Sequence, residues 1–150
     1  MNLRKVLVPT DFSESSEKAV NYAAELASKF GSELHVLHAF DTTPILYGEG
    51  GGMPNNTAAE VAAAASRMIE NIEVKCTSPI EVKRTVREGH DFVEIIRFAK
   101  ENEIDLIVMG THGRGAVAHL LLGSVAEKVV RKAPCPVLVV RDKEHDFVMP

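Results

Sequence analysis

Leu106-Ile107-Val108-Met109-Gly110-Thr111-His112-Gly113-Arg114-Gly115 runs from a solid apolar stretch straight into a glycine-rich loop. Apolar residues in succession, without polar alternation, fit a strand covered on both faces, as in a parallel sheet. Further on, Ser124-Val125-Ala126-Glu127 has the spacing of a capping box and opens a helix reaching Lys132. A strand, a glycine loop and a helix start in that order make one βα unit of an α/β fold.

The segments on either side repeat the unit. Leu3 to Val8 is a β-rich run stopped by Pro9, and Ser13 to Phe30 carries the helical stripe Ala19, Tyr22, Ala23, Leu26, Ala27, Phe30 before Gly31. Leu34 to Ala39 is a second strand. Pro44, the cluster Gly48-Glu49-Gly50-Gly51-Gly52 and Pro54 then predict a loop. Thr57-Ala58-Ala59-Glu60 starts an Ala-rich helix to about Asn71. In Ile80 to Arg87, Ile80, Val82 and Val86 face one way and Glu81, Lys83, Thr85 and Arg87 the other, the pattern of a half-wet edge strand. Asp91-Phe92-Val93-Glu94 predicts another capping box, and the stripe Phe92, Ile95, Ile96, Ala99 follows it. Pro134 and Pro136 frame a last strand, Val137 to Val140, ahead of a charged tail from Arg141.

Right-handed βαβ crossovers turn this alternation into a five-stranded parallel sheet with helices on both faces. Putting the driest strands in the middle and the wet one at an edge gives the order 3-2-1-4-5. The chain reverses direction between strands 1 and 4, so a crevice opens at their carboxyl ends, where such sheets take ligands. Pro9-Thr10-Asp11 and Gly110-Thr111-His112-Gly113 arrive there.

Composition bounds the function. The chain has 150 residues, enough for one domain spanning 1–150, with 45% hydrophobic and 25% charged residues. A net charge of −4 offers no bulk attraction to nucleic acid or anionic lipid. No apolar run approaches the ~20 residues of a membrane helix, and the opening Met1-Asn2-Leu3-Arg4-Lys5 leads into too short an apolar run for a signal peptide. Two cysteines, Cys76 and Cys135, make neither a disulfide framework nor a metal site. The expectation is a cytoplasmic domain.

The loop after strand 4 has parts suited to a polyphosphate. Gly110, Gly113 and Gly123 let backbone N–H groups approach an anion, the helix opening at Ser124 adds unpaired N–H groups, and Arg114 adds charge. The same residues would equally serve to turn the chain and cap a helix. Asp11 likewise suits either a ligand contact or the first turn of the following helix. His35 and His38 fall on opposite faces of a strand and share no metal, and His112 and His119 flank the loop.

Gly110-x2-Gly113-x9-Gly123-Ser124 after its apolar strand resembles the nucleotide-binding signature of the universal stress protein family. Val6-Leu7-Val8-Pro9-Thr10-Asp11-Phe12-Ser13 and Cys135-Pro136-Val137-Leu138-Val139-Val140 are similar to that family's two ends, so the match spans roughly 3 to 141. The resemblance implies a Rossmann-like fold of the adenine nucleotide alpha hydrolase type and its ATP-binding branch. It implies Pro9, Thr10 and Asp11 beside the nucleoside and the Ala39 backbone at the adenine edge. It also implies Met109 and Gly110 at the ribose, and Gly113, Arg114, Gly123, Ser124 and Val125 around the phosphates, with magnesium as a companion of the phosphates.

The expected function is an ATP- or AMP-binding regulatory protein of the stress response, a homodimer joined through Val137 to Val140. That strand is an edge apolar on both faces, and a twofold pairing would satisfy it. ATP hydrolysis or adenylyl transfer competes, but no positioned nucleophile–base pair is evident; His112 is the one candidate for test. A dinucleotide redox domain also competes, since Gly113-Arg114-Gly115-Ala116-Val117-Ala118 fits G-x-G-x-x-A. That fingerprint belongs after the first strand, however, and here it follows the fourth.

Overall fold

The computed structural model describes residues 2–42, 58–111 and 122–141. Strands β1 (Lys5–Pro9), β2 (Glu33–Phe40), β3 (Val82–Glu88), β4 (Leu106–Gly110) and β5 (Val137–Val140) alternate with helices α1 (Glu14–Phe30), α2 (Ala58–Glu70), α3 (Asp91–Glu101) and α4 (Ser124–Lys132). All strand pairs are parallel and their order is β3-β2-β1-β4-β5, the order read from the sequence.

Period-two alternation splits the strands between two cores. Val6, Val8, Leu34, Val36, Val108 and Val140 pack under α1 and α2. Leu7, Leu37, Ile107 and Met109 pack under α3 and α4. β1 and β4 are buried along their centres, while β3 is the wet edge. Among the described residues no helix is long and apolar enough to cross a membrane.

Helix α1 follows its local signals. Ser13 accepts from the Ser16 N–H as N-cap, and Gly31 closes the helix at φ 66°. Its buried face differs from the expected stripe. Ala19, Val20, Ala23, Ala24 and Ala27 are buried, whereas Tyr22 and Phe30 are 53% and 61% exposed. The small side chains let the helix lie close on the sheet, and the bulky pair is turned out.

Three other local readings shift. The third strand begins at Val82, not Ile80, and runs through Glu88. Within it Arg84 takes a position on the apolar side, where its guanidinium donates to Ile72 O at 3.2 Å beyond the end of α2. Helix α3 is preceded by His90 as N-cap, so Asp91 is its first residue and no side chain caps it. Helix α4 has Gly123 as N-cap and Ser124 as its first residue, again without a side-chain cap. In both helices the acidic residue of the expected box forms ion pairs instead. Glu94 meets Arg97 and Arg87, and Glu127 meets Arg131.

Candidate functional site: the crevice at the end of β1

The crevice follows from how the ladders end. β1 stays in register with β2 from Lys5↔Glu33 to Pro9↔Leu37, but with β4 only at Val6↔Leu106 and Leu7↔Ile107. Beyond Leu7 the β1–β4 pairing stops, and Pro9 brings no N–H to extend it.

In a parallel ladder a residue points its N–H and C=O to the same neighbour, and successive residues alternate sides. Thr10 N–H donates to Leu37 O and Glu33 N–H to Arg4 O, so odd-numbered residues of β2 face β1. Leu34 N–H to Glu81 O and Gly89 N–H to Phe40 O put the even ones on β3. Ala39 therefore turns its backbone pair toward β1, past Leu37, the last paired residue. On β4, Ile107 N–H to Pro136 O and Thr111 N–H to Val140 O commit odd residues to β5. Gly110 turns its own pair toward the β1 side. Two strands thus aim backbone donors and acceptors over the end of β1.

The β1–α1 turn is held tightly between them. Asp11 Oδ1 accepts from Ser13 N–H at 3.0 Å and from Ser13 Oγ–H at 2.5 Å, which fixes the carboxylate at the start of α1. Phe12 adopts φ 64°, a left-handed conformation rare for an aromatic residue. Its N–H donates to Thr10 Oγ1 at 3.0 Å, and the buried Thr10 hydroxyl lies 3.1 Å from Ser16 Oγ. From β2, the His38 Nδ1–H donates to Thr10 O at 2.8 Å, and its ring lies 4.4 Å from the Phe12 ring.

On the far side, Gly123 N–H donates to Thr111 O at 2.6 Å, tying the start of α4 to the end of β4. The Gly123 amide is thus engaged at the junction of the two elements. The first intrahelical bond is Glu127 N–H to Gly123 O. The N–H groups of Ser124, Val125 and Ala126 precede any helical acceptor, and among the described residues no side chain caps the helix start. Gly110 has a packing reason of its own, because a Cβ there would collide with Ser15 of α1.

Pro9, Thr10, Asp11, Ala39, Met109, Gly110, Gly123, Ser124 and Val125 all lie at the carboxyl end of the sheet, on β1, the β1–α1 turn, β2, β4 and the start of α4. Gly113, Arg114, His112, His119, Thr57, the cluster at 48–52 and the tail from Asp142 lie outside the described residues. Sequence reasoning missed the parts played by His38, Phe12 and Ser15; strand alternation could have placed His38 above the β1–α1 turn.

His35 lies on the opposite face from His38, edge-on to Phe98 at 5.5 Å. Burial holds its pKa below 6.5 against the pull of Glu33. Burial likewise raises the Cys135 thiol, and Cys76 is exposed. Among the described residues no group of three or more His, Cys, Asp or Glu side chains could hold a metal ion.

Comparison with known proteins agrees with this architecture. The family model described as "Universal stress protein family" matches residues 2–141. Universal stress protein MJ0531 of Methanocaldococcus jannaschii is 34% identical over 95% of this chain and 85% of its own. Universal stress protein YxiE of Bacillus subtilis is 33% identical over 91% and 98%. Among solved structures, protein MJ0577 superposes with a TM-score of 0.77 at 32% identity, covering 97% of this chain and all of its own. UspA from Lactobacillus plantarum superposes with a TM-score of 0.73 at 26% identity, covering 94% and 99%. A family-wide match over a parallel sheet of this order, with its crevice built from the signature segments, leads to one conclusion: the chain belongs to the universal stress protein family.

Proposed function

We propose that the chain binds an adenine nucleotide, ATP or AMP, in the crevice beyond β1 and acts as a homodimeric regulator in the stress response. The observation that carries the binding is the Ala39 backbone pair, turned toward β1 past the end of the ladder. Adenine presents an amino donor beside a ring-nitrogen acceptor, which matches one residue's C=O and N–H. Asp11, with Pro9 and Thr10, flanks the nucleoside, and Met109 and Gly110 lie toward the ribose. The N–H groups of Ser124 and Val125, ahead of the first helical acceptor, suit the phosphates through hydrogen bonds and the positive end of the α4 dipole. Gly113, Gly123 and Arg114 join them on the strength of the family signature. Magnesium would come with the phosphates, since no cluster of ligating side chains gathers among the described residues.

A universal stress protein solved in complex with cAMP superposes with a TM-score of 0.63 at 24% identity and covers 95% of this chain. It shares the fold and supports an adenine nucleotide as something the fold accommodates. The reading is one of binding over catalysis: the one hydroxyl held against a carboxylate at the crevice among the described residues, Ser13 on Asp11, serves as the N-cap of α1.

The dimer reading rests on β5. Its even-numbered residues bond β4, so Val137 and Val139 turn their backbone groups to the open edge. Exposed Leu138 and Val130 lie on β5 and the preceding α4. A second copy pairing antiparallel would cover this edge.

Titration calorimetry with ATP and AMP, beside mass spectrometry of nucleotide carried through purification, tests the binding. Dissociation constants on the order of micromolar are expected. Absence of heat with either nucleotide at about millimolar concentration, from protein stripped of any ligand, would sink the reading.

A further inference from the structure

We infer that His38 is a positioning residue for the crevice, ending the β1–β2 ladder at Thr10 so that the Ala39 backbone pair stays turned to ligand. The inference rests on the adenine-nucleotide reading and deepens it.

Register alone would extend the ladder. Thr10 N–H already bonds Leu37 O, and the next rung of a parallel ladder is Ala39 N–H to Thr10 O. That carbonyl is occupied: His38 Nδ1 lies 2.8 Å from it. A carbonyl only accepts, so Nδ1 carries the proton, and the rung from the Ala39 amide to this oxygen is not made beside it. The same ring packs on Phe12 and supports its left-handed backbone at φ 64°. That turn moves the chain away from β2 immediately after Thr10, before Asp11 and Ser13 begin α1. One side chain therefore does two things: it draws Thr10 O into a side-chain bond in place of the rung to the Ala39 amide, and it holds the turn that directs β1 aside. Its alternate position on β2 places it on the α1 face, under the turn, and away from the Phe98 face that holds His35.

Two variants separate this from a merely structural role. His38→Ala frees Thr10 O for the Ala39 amide. Its amide hydrogen exchange at Ala39 in the ligand-free protein should slow, whereas simple loosening would speed it. AMP affinity should fall about tenfold, the worth of one well-placed hydrogen bond. The preference for AMP over IMP should fall with it, because IMP reverses the donor and acceptor that Ala39 reads. In His38→Asn the side-chain amide nitrogen occupies the place of Nδ1, and exchange, affinity and selectivity should return to near the parent's. Ala39 exchange that is unchanged or faster in His38→Ala, or AMP affinity and selectivity equal to the parent's, overturns the inference. Failure of His38→Asn to recover any of the three also overturns it. A parent that binds no adenine nucleotide overturns the nucleotide reading itself, a result separate from these.

Discussion

Gly110 lies so close against Ser15 that a Cβ at 110 would stand 2.8 Å from the Ser15 backbone oxygen and 2.9 Å from its carbonyl carbon. β4 and the first turn of α1 meet at that point, and the helix start is fixed from below by Thr10 and Ser16. Backbone atoms cannot step aside as a flexible side chain can. Gly110→Ala should therefore cost about 1–3 kcal/mol, the usual penalty for overpacking a filled site, and lower Tm in thermal denaturation. A parent-like Tm would show that α1 can shift along β4.

The start of α4 allows stability and binding to be driven in opposite directions. Ser124→Glu puts a carboxylate in the first turn, where it complements the helix dipole by about 0.3–1 kcal/mol. The same charge repels a phosphate at those N–H groups. Tm should rise slightly while ATP affinity falls by at least about tenfold in calorimetry. Ser124→Ala removes only a hydroxyl and should weaken ATP less. A Glu variant that binds ATP as the parent does would remove the phosphates from this helix end.

Acid should destabilise the protein through His35. Burial beside Phe98 holds the folded imidazole below its ordinary value of 6.5, so the folded state refuses a proton that the unfolded chain accepts. The resulting stability is present above about pH 6.5 and is lost as pH falls from there toward the folded value. Glu33, lowered chiefly by its hydrogen bond to Lys83, adds a second loss of the same sign below about 4.5. His35→Leu removes the first and leaves the part of the second that Lys83 supplies. Its Tm should vary less than the parent's between about pH 7 and 5. Equal slopes would mean that His35 is not the group responsible.

Sheet order and crevice location were legible because dry and wet strands differ in residue pattern, as the solid run at 106–109 and the alternating one around Val82 show. Helix starts were less so. Asp91 and Ser124 have good capping chemistry, yet the chain enters each helix one residue earlier, at His90 and Gly123. Tertiary ties decide that, for Gly123 by its bond to Thr111 O. Glycine identity is equally mute about cause, since Gly110 answers to Ser15, a residue on another element far away in sequence. The role of His38 depends on which rung of a ladder goes unmade, and that appears only once register is known.

The edge of β5 gives the sharpest test of association. Ile107 N–H to Pro136 O and Thr111 N–H to Val140 O show that even positions face β4, which leaves the Val139 N–H on the open side. Proline at 139 would therefore spare the β4 ladder, remove a donor from the outer edge and set its ring against an incoming strand. The monomer's fold should survive, with a circular dichroism spectrum like the parent's. In light scattering the parent should run at about 33 kDa, twice the 16.4 kDa of one chain, and Val139→Pro at the mass of one chain. A parent that stays monomeric at high micromolar concentration would remove the dimer. A Val139→Pro variant that still dimerises would move the interface off this edge.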